Sequence, residues 1–539
     1  MVRPSASYVD ASSERSSNRR ASAFLKLHAP RAGLEDRCVG TVESDGHRHG
    51  EEGVAVLVAS RIHEQASRTP SAPAIRWQDR SVTYAELREL AAKAAAHLTG
   101  LQTGGAPVAL RASKSPESAA AVLACLSVEQ PVLLLSTDLG PQVFDALVSQ
   151  AGCAAVISVD GADLRVQPVP VPPQAPVLPP DTCLLLTTSG STGLPKIVPL
   201  PAAGVGRFVD WAAAQFGLTE GTRVLNYAPL NFDLCLLDIW ATLCHGGEVV
   251  LVDPARAVQP RYLLRLFAEA RPEVVQAVPM LFRLLTEAGD GHKFPEVRHV
   301  LLTGDHTPHR VRAGLPSLFP GASLHNVYGC TETNDSFLHT FGPQQAVEDD
   351  VLPLGRPLPA VEAALFHQGE VVTGPGTGEL VVATPFQADG YLGDVAPGGR
   401  FFRRITDSGE RTWYRTGDLV RRAPDGRLTL IGRNDLQVKV RGVRVNVEEI
   451  ERVIQAHEGV VEAVVVPLPD PGAGTRLHAV VRTVDSGPSS LALRTHCAAR
   501  LTRVAIPDAF RLVNEPLPVG PTDKVDRHRV RDHLMRELL

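Results

Sequence analysis

LLLTTSGSTGLPKIV, residues 184–198, is the stretch on which the reading of this chain turns. An apolar run of strand character ends in hydroxyls and glycines and then reaches a lysine. Glycines let backbone N–H groups approach an anion closely, and hydroxyls with a lysine add donors and positive charge, as a triphosphate requires. Ser/Gly-rich turns are common, but Lys196 is one of only seven lysines in 539 residues, and it sits just after this one. Pro195 before the lysine, and no Ser or Thr after it, exclude a Walker A loop. Gly374-x-Gly376-x-Gly378 has the wrong spacing for a dinucleotide fingerprint and precedes a strand. No kinase-type HRD or DFG set is present.

Working outward, apolar runs at 108–110, 132–135 and 154–158 alternate with helical segments, which predicts βα units and mainly parallel sheets. Thr83-x-x-Glu86 is a capping-box pattern. Leu87, Leu90, Ala91, Ala94 and Leu98 follow at helical spacing, so a helix buries that face. Residues 166–180, VQPVPVPPQAPVLPP, form a Pro-rich connector that can be neither helix nor central strand. Strand-like runs at 379–383 and 428–431 predict a smaller β-rich layer. Beyond it the pattern changes: strands at 437–441, 460–466, 477–484 and 509–513, and helices at 447–457 and 489–501, predict a compact α+β module. The expected class is α/β, a large core of βα-sheet subdomains with a β-rich layer and a small α+β domain, which the family resemblance set out below implies is mobile. Expected boundaries are an extension at 1–52, a large domain at 53–432, a boundary at 433–437, which that resemblance implies is a hinge, and a small domain at 438–539.

Hydrophobic residues make up 44% and charged residues 21%, ordinary for a globular protein of several domains. A net charge of −5 gives no support to a nucleic-acid or acidic-membrane partner. No apolar stretch is long enough to span a bilayer, and no secretory h-region is seen near the N-terminus. Eight cysteines without a CxxC pair read as reduced thiols in a cytoplasmic protein. His47 and His49 lie in the polar extension and read as solvated.

Taken together the motifs resemble those of adenylation domains of nonribosomal peptide synthetases, within the acyl-CoA synthetase and luciferase superfamily. The resemblance runs from about Ser81 to Arg527. It comprises SVTYAEL (81–87), the phosphate loop (187–196), NFDLC (231–235), NVYGCTE (326–332), GEL…GYL (378–392), YRTGDL (414–419), GRNDLQVKVRG (432–442) and DKVDR (523–527), in the family's order. Three of the seven lysines, Lys196, Lys439 and Lys524, fall inside these motifs.

The resemblance implies ATP and Mg²⁺ as cofactors. Thr187, Thr188, Ser189, Gly190, Ser191, Thr192, Gly193 and Lys196 would wrap the β- and γ-phosphates. Tyr328 would lie against adenine, with Asn326, Gly329 and the Thr303–Gly304–Asp305 turn near its edge. Thr331 would bond the α-phosphate and Glu332 would hold the metal, a hard cation suited to carboxylate oxygen. Asp418 would accept the ribose hydroxyls, Arg433 would reach the ribose and phosphate, and Lys524 would bridge the substrate carboxylate and the α-phosphate. Asp435 would be the hinge, and the Lys439–Gly442 loop would meet an incoming thiol.

Asp233 matches the family's aspartate that pairs with the substrate ammonium, which implies an amino acid. Leu234, Leu237, Gln276, Leu301, Thr303, Val327, Asp335 and Ser336 would line a compact, largely apolar pocket. Asp335, if inward, would suit a basic or β-amino acid; a small proline-like substrate is also open. Cys330 stands where the family often has proline, and Cys235 where it has a small residue. Residues 123–135 only faintly match the expected Lys-Ala-Gly motif. No phosphopantetheine-attachment segment follows DKVDR, so the expected acceptor is a separate carrier protein, with coenzyme A second. An acyl- or aryl-CoA ligase, an amide ligase and an inactive nucleotide-binding homologue are the alternatives.

Overall fold

Thr83 caps the helix Tyr84–Leu98 as its spacing predicts: its hydroxyl accepts from the Glu86 amide at 3.2 Å and its own amide donates to the Glu86 carboxylate at 2.7 Å. Leu87, Ala91, Ala94 and Leu98 are buried, whereas Leu90 is only partly covered. The computed structural model that shows this describes residues 56–538 apart from 112, 189–193, 290, 306, 349–350, 394–398, 407–408, 434–436, 471–473, 485–486 and 519–524. The expected extension (1–52), the loop residues Ser189, Gly190, Ser191, Thr192 and Gly193, the hinge Asp435, and Lys524 lie outside the described residues.

Two sheets with parallel centres carry the large part. One has nine strands, with Pro73–Trp77, Glu248–Leu251, Arg223–Asn226, Val274–Ala277, His299–Leu302 and Ser323–Cys330 running parallel in that spatial order. Arg80–Thr83 and the pair Asn334–Phe341 and Arg356–Pro357 close its edges antiparallel. The other has six strands, parallel through Ala155–Asp160, Val108–Arg111, Val132–Leu135 and Thr182–Thr188. Its edges are the antiparallel strands Asp163–Pro168 and Lys196–Pro201. The expected connector therefore begins later than residue 166. Pro168 ends an edge strand, a sheet position where a missing N–H is tolerated. The helices Pro116–Ser127 and Ala202–Phe216 pack in the main core with both sheets.

The β-rich layer is an antiparallel sheet built around Gly376–Ala383 and the 14-residue strand Gly409–Arg422, with Leu428–Arg433 at its margin. After residue 436 the hairpin Gln437–Val440/Val443–Asn446 leads into the helix Val447–Gln455. The strand expected over 437–441 is one residue shorter, because Arg441 turns the chain at positive φ. A three-stranded sheet, Val460–Asp470, Gly474–Thr483 and Ala509–Val513, completes the module with the helices Ser490–Ala498 and Arg527–Leu538. Its core is separate: Ile450, Ile454, Val465, Leu477, Val481 and Leu493. No described helix is long and apolar enough to cross a membrane.

Candidate active site

Ligands of open parallel sheets lie beyond the carboxyl ends of the strands, and the candidate residues gather there. Gln276 and Leu301 face each other in register near the ends of Val274–Ala277 and His299–Leu302, and Thr303 follows. Leu237, Leu301, Val327 and Ser336 are buried, and Leu234 is partly so. The chain from Asn231 enters a wide π-helical turn, Leu236–Ala241, of the kind often found at functional sites. That turn puts Asp238, fully buried, beneath the pocket. Asn226 Nδ2 donates to Asp238 at 3.1 Å, and Gln276 Nε2 donates to Asp238 and to Leu234 O, each at 3.2 Å. Burial pushes the Asp238 carboxyl well above the usual carboxylate range. Lys114, also buried, donates to Asn226 O and Tyr227 O at 3.1 and 2.9 Å, and burial brings its amine down to about 8. Asp238, Asn226 and Lys114 were not singled out from the sequence; a buried polar layer behind an apolar wall leaves no spacing signal.

Asp233 lies three residues before the π-helical turn, within reach of Thr331, Glu332 and Lys439. Burial raises its pKa, a side-chain hydrogen bond with Thr331 opposes that, the Glu332 charge adds to it, and the Lys439 charge offsets it. Asp335 is near enough to Asp233 and Lys439 to feel both charges. Burial and the neighbouring Asp233 charge push it up to about 7, with Lys439 opposing. That coupling favours the inward alternative for Asp335. Asp335 pairs with Gly329 next to a β-bulge at Tyr328/Gly329, and a Cβ on Gly329 would come within 2.4 Å of Asn334 O, so only glycine fits.

The nucleotide candidates meet one step further out. Thr188 and Lys196 pair across the hairpin whose connecting loop carries residues 189–193. Lys196 Nζ lies 4.2 Å from the Tyr391 ring centroid, and Tyr391 Oη donates to Glu332 at 2.6 Å. Tyr328 Oη donates to Asp418, which is also bonded by Arg433. Asn326 commits its amide to Pro353 O at 2.8 Å. The Lys439 ammonium is 6.0 Å from the Tyr328 ring, and Gly442 lies beside Gly304 and Val278, so the small part's hairpin is seated on the site.

Glu332 is 1% exposed, and its strongest partner is Arg444 from that hairpin, whose Nη1 donates to both carboxylate oxygens at 2.9 and 3.1 Å. Burial alone would raise Glu332, but the Arg444 charge and the hydroxyls of Tyr391 and Tyr414 together hold it down to about 2. A buried carboxylate already paired with a stand-in cation suits a hard metal ion shared with phosphate oxygens. Arg444, Tyr391 and Tyr414 were missed as functional residues, although all three lie within or next to quoted motifs.

Residues 62–392 match the model of the AMP-binding enzyme family, and residues 449–524 that of the AMP-binding enzyme C-terminal domain. The chain is 32% identical over 508 residues to a phosphinothricin tripeptide synthetase of Streptomyces viridochromogenes, covering 88% of this chain and 45% of that protein. The chain thus spans less than half of that relative. It is 33% identical to an L-proline–[L-prolyl-carrier protein] ligase of Pseudomonas fluorescens, over 66% of this chain and 70% of the ligase. A D-alanine–D-alanyl carrier protein ligase of Bacillus velezensis is 27% identical over 88% of this chain and 99% of its own. Among solved structures, an artificially fused adenylation–PCP di-domain from Klebsiella oxytoca matches with a TM-score of 0.71 at 26% identity, covering 84% of this chain and 93% of that one.

Proposed function

The chain belongs to the AMP-binding enzyme family, and we propose that it joins an amino acid to AMP and then passes the aminoacyl group to the phosphopantetheine thiol of a carrier protein. The observation that carries this reading is Asp233, a desolvated carboxylate beside two further carboxylates, Glu332 and Asp335. Such a group is costly unless a cation joins it, and a substrate ammonium is that cation. Asp335, in charge contact with Asp233, favours a substrate carrying a second or displaced amine.

In the first half-reaction the amino acid carboxylate attacks the α-phosphorus in line, the bond to pyrophosphate breaks, and aminoacyl-AMP remains. Thr187, Thr188, the 189–193 loop and Lys196 hold the β- and γ-phosphates. Thr331, bonded to Asp233 here, turns to the α-phosphate once an ammonium has taken its place. Tyr328 faces adenine, and Asp418, steadied by Arg433, accepts the ribose hydroxyls. Lys524 bridges the two reacting groups. Mg²⁺, held through Glu332 when bound, neutralises charge on the phosphates.

In the second half-reaction the thiol sulfur bonds to the acyl carbon, AMP leaves with the bonding pair, and the thiol proton passes to solvent. The small domain, 438–539, turns about Asp435 between the two. The seating of Lys439 and Gly442 on the site supports the present orientation as the one for transfer. A cleft between Val278, Met280, Arg283, Asp305 and Arg441 then offers the pantetheine its way in.

The test is amino-acid-dependent ATP–pyrophosphate exchange over α-, β- and diamino acids and aryl acids, with Asp233→Ala alongside. Exchange with one amino acid that is lost in the variant is the expected result. Exchange only with acids lacking an amine, indifferent to the variant, would replace this reading with a CoA ligase.

A further inference from the structure

One neutral side chain touches both of the charges on which the proposed first half-reaction leans. The Tyr391 ring centroid lies 4.2 Å from the Lys196 ammonium, and the Tyr391 hydroxyl donates to Glu332 at 2.6 Å. The ring answers the cation with its π-face, and the O–H answers the anion. Each contact strengthens the other, because a proton donated toward a carboxylate leaves the phenol oxygen and ring richer in electrons for the ammonium.

Packing leaves the ring little freedom. Tyr391 is 8% exposed, its ring stands edge-on to Phe401 at 5.3 Å, and its oxygen lies 3.3 Å from that of Tyr414. The segment that carries it is tied by backbone bonds to the neighbourhood of each charge. Ala388 N donates to Glu332 O at 3.0 Å, and Leu392 N donates to the O of Ile197, the residue after Lys196, at 2.9 Å. Upstream, Thr384 Oγ1 donates to Thr333 O at 2.8 Å, and Asn334 Nδ2 donates to Phe386 O at 3.0 Å. Residues 384–392 thus bridge the turn after Ser323–Cys330 and the start of Lys196–Pro201, with the Tyr391 side chain between them. Every group named belongs to the large part, so this arrangement does not depend on where the hairpin sits.

Opposite charges on either side of one ring have an alternative, which is to meet each other. A direct Lys196–Glu332 pair would be buried, and prising it open to admit a ligand would leave two uncompensated charges, which is costly. Phosphate would then have to take the ammonium from the carboxylate, and a metal the carboxylate from the ammonium. We propose that Tyr391 is a positioning residue, a neutral spacer that holds Lys196 and Glu332 apart and so keeps the first for phosphate and the second for the metal. This rests on the adenylation reading above. The two contacts are separable: the hydroxyl steadies Glu332 alone, whereas the ring is what stands between the charges.

The experiment titrates the full chain with pyrophosphate by calorimetry under a chelator, and measures the magnesium dependence of pyrophosphate exchange alongside. Tyr391→Phe keeps the ring, so metal-free pyrophosphate should bind within about twofold of the wild type, while the magnesium concentration for half-maximal exchange rises at least about threefold. Tyr391→Leu removes both contacts, and metal-free pyrophosphate should bind at least about tenfold more weakly, because Glu332 captures the lysine. Adding Glu332→Gln to that variant removes the captor and should recover binding by a larger factor than the same change gains in the wild type. A misfolded chain would show no such recovery. Metal-free binding in Tyr391→Leu equal to the wild type, a failed recovery in the double variant, or an unchanged magnesium requirement in Tyr391→Phe overturns the spacer. Absence of exchange with any acid in a wild type that binds pyrophosphate would instead defeat the adenylation reading, while metal-free binding in the variants still decides the spacer. A wild type that binds no pyrophosphate defeats both.

Discussion

Replacing Gly442 by alanine should separate the two half-reactions, and the structure sets the size of the effect. Gly442 has φ +83°, in the left-handed region, and a Cβ there would stand 2.3 Å from Val278 Cγ1. The backbone conformation costs an L-residue about 1–2 kcal/mol, and forcing a methyl into a packed contact adds about 1–3 kcal/mol. Together that is about 2–5 kcal/mol against the seated hairpin, or a loss of about 30-fold to a few thousand-fold in its population. Nothing in that sum touches Lys196, Glu332, Asp418 or the 189–193 loop. Single-turnover transfer from preformed aminoacyl-AMP to a holo-carrier should therefore fall by that factor, while pyrophosphate exchange changes by no more than a few-fold. Adding Val278→Ala removes the atom the new methyl meets, but not the φ strain, and should restore part of the transfer rate. Transfer unaffected in Gly442→Ala would refute the assignment of the hairpin. So would a double variant no better than the single, since the clash would then not be the cause.

Lys524→Ala should slow adenylate formation by about 10²–10³, the usual effect of losing one such donor, while transfer from preformed adenylate survives; matched losses in the two assays would count against the bridging role. Asp335 has a folded pKa near 7, far above its unfolded value. The native state thus holds that proton more tightly between about pH 4 and 7, and stability is lost as pH rises through that window. Asp335→Asn should accordingly melt with the wild type at about pH 4 and above it by pH 8, and a gap that does not grow with pH would contradict the inward placement. Thr83→Ala removes the capping box and should lower the unfolding free energy by about 1 kcal/mol; an unchanged urea midpoint would mean the cap is idle.

What the sequence disclosed depended on whether a residue's job left a local pattern. The strand Thr182–Thr188 and the turn after it were legible because an apolar run, a Ser/Gly stretch and a rare lysine come in succession; the returning strand Lys196–Pro201 was not, because its two prolines mask it. The helix Tyr84–Leu98 was legible because its cap and its apolar stripe agree. Asp335 was legible as an oddity, but its direction was not, since it pairs with Gly329 beside a bulge that changes the register of the hairpin. Arg444 was hidden among the 47 arginines that remain when seven lysines are taken from 54 basic residues. Its importance exists only through a contact 112 positions away. The strand Gly409–Arg422 was hidden because its charged residues interrupt any alternation: Arg411 and Arg415 are half-buried and Asp418 is buried, whereas Glu410 and Arg421 are exposed. Asp238 and Lys114 failed for a related reason: each is satisfied by a group brought to it by a different strand.

The amide of Gln276 has a consequence for recoding the enzyme. Both hydrogens on its nitrogen are spent behind the pocket, on Leu234 O and Asp238, so what the side chain can offer a ligand is its oxygen. Asp238 thus dictates the polarity of a wall it never reaches through. An apolar residue at 238, with no oxygen to accept from it, would let that amide turn and present a donor instead, trading preference for amines against preference for carbonyls. Selectivity here can be rewritten from outside the binding surface, and a substrate panel run on Asp238 variants would register the change without a single ligand contact having been mutated.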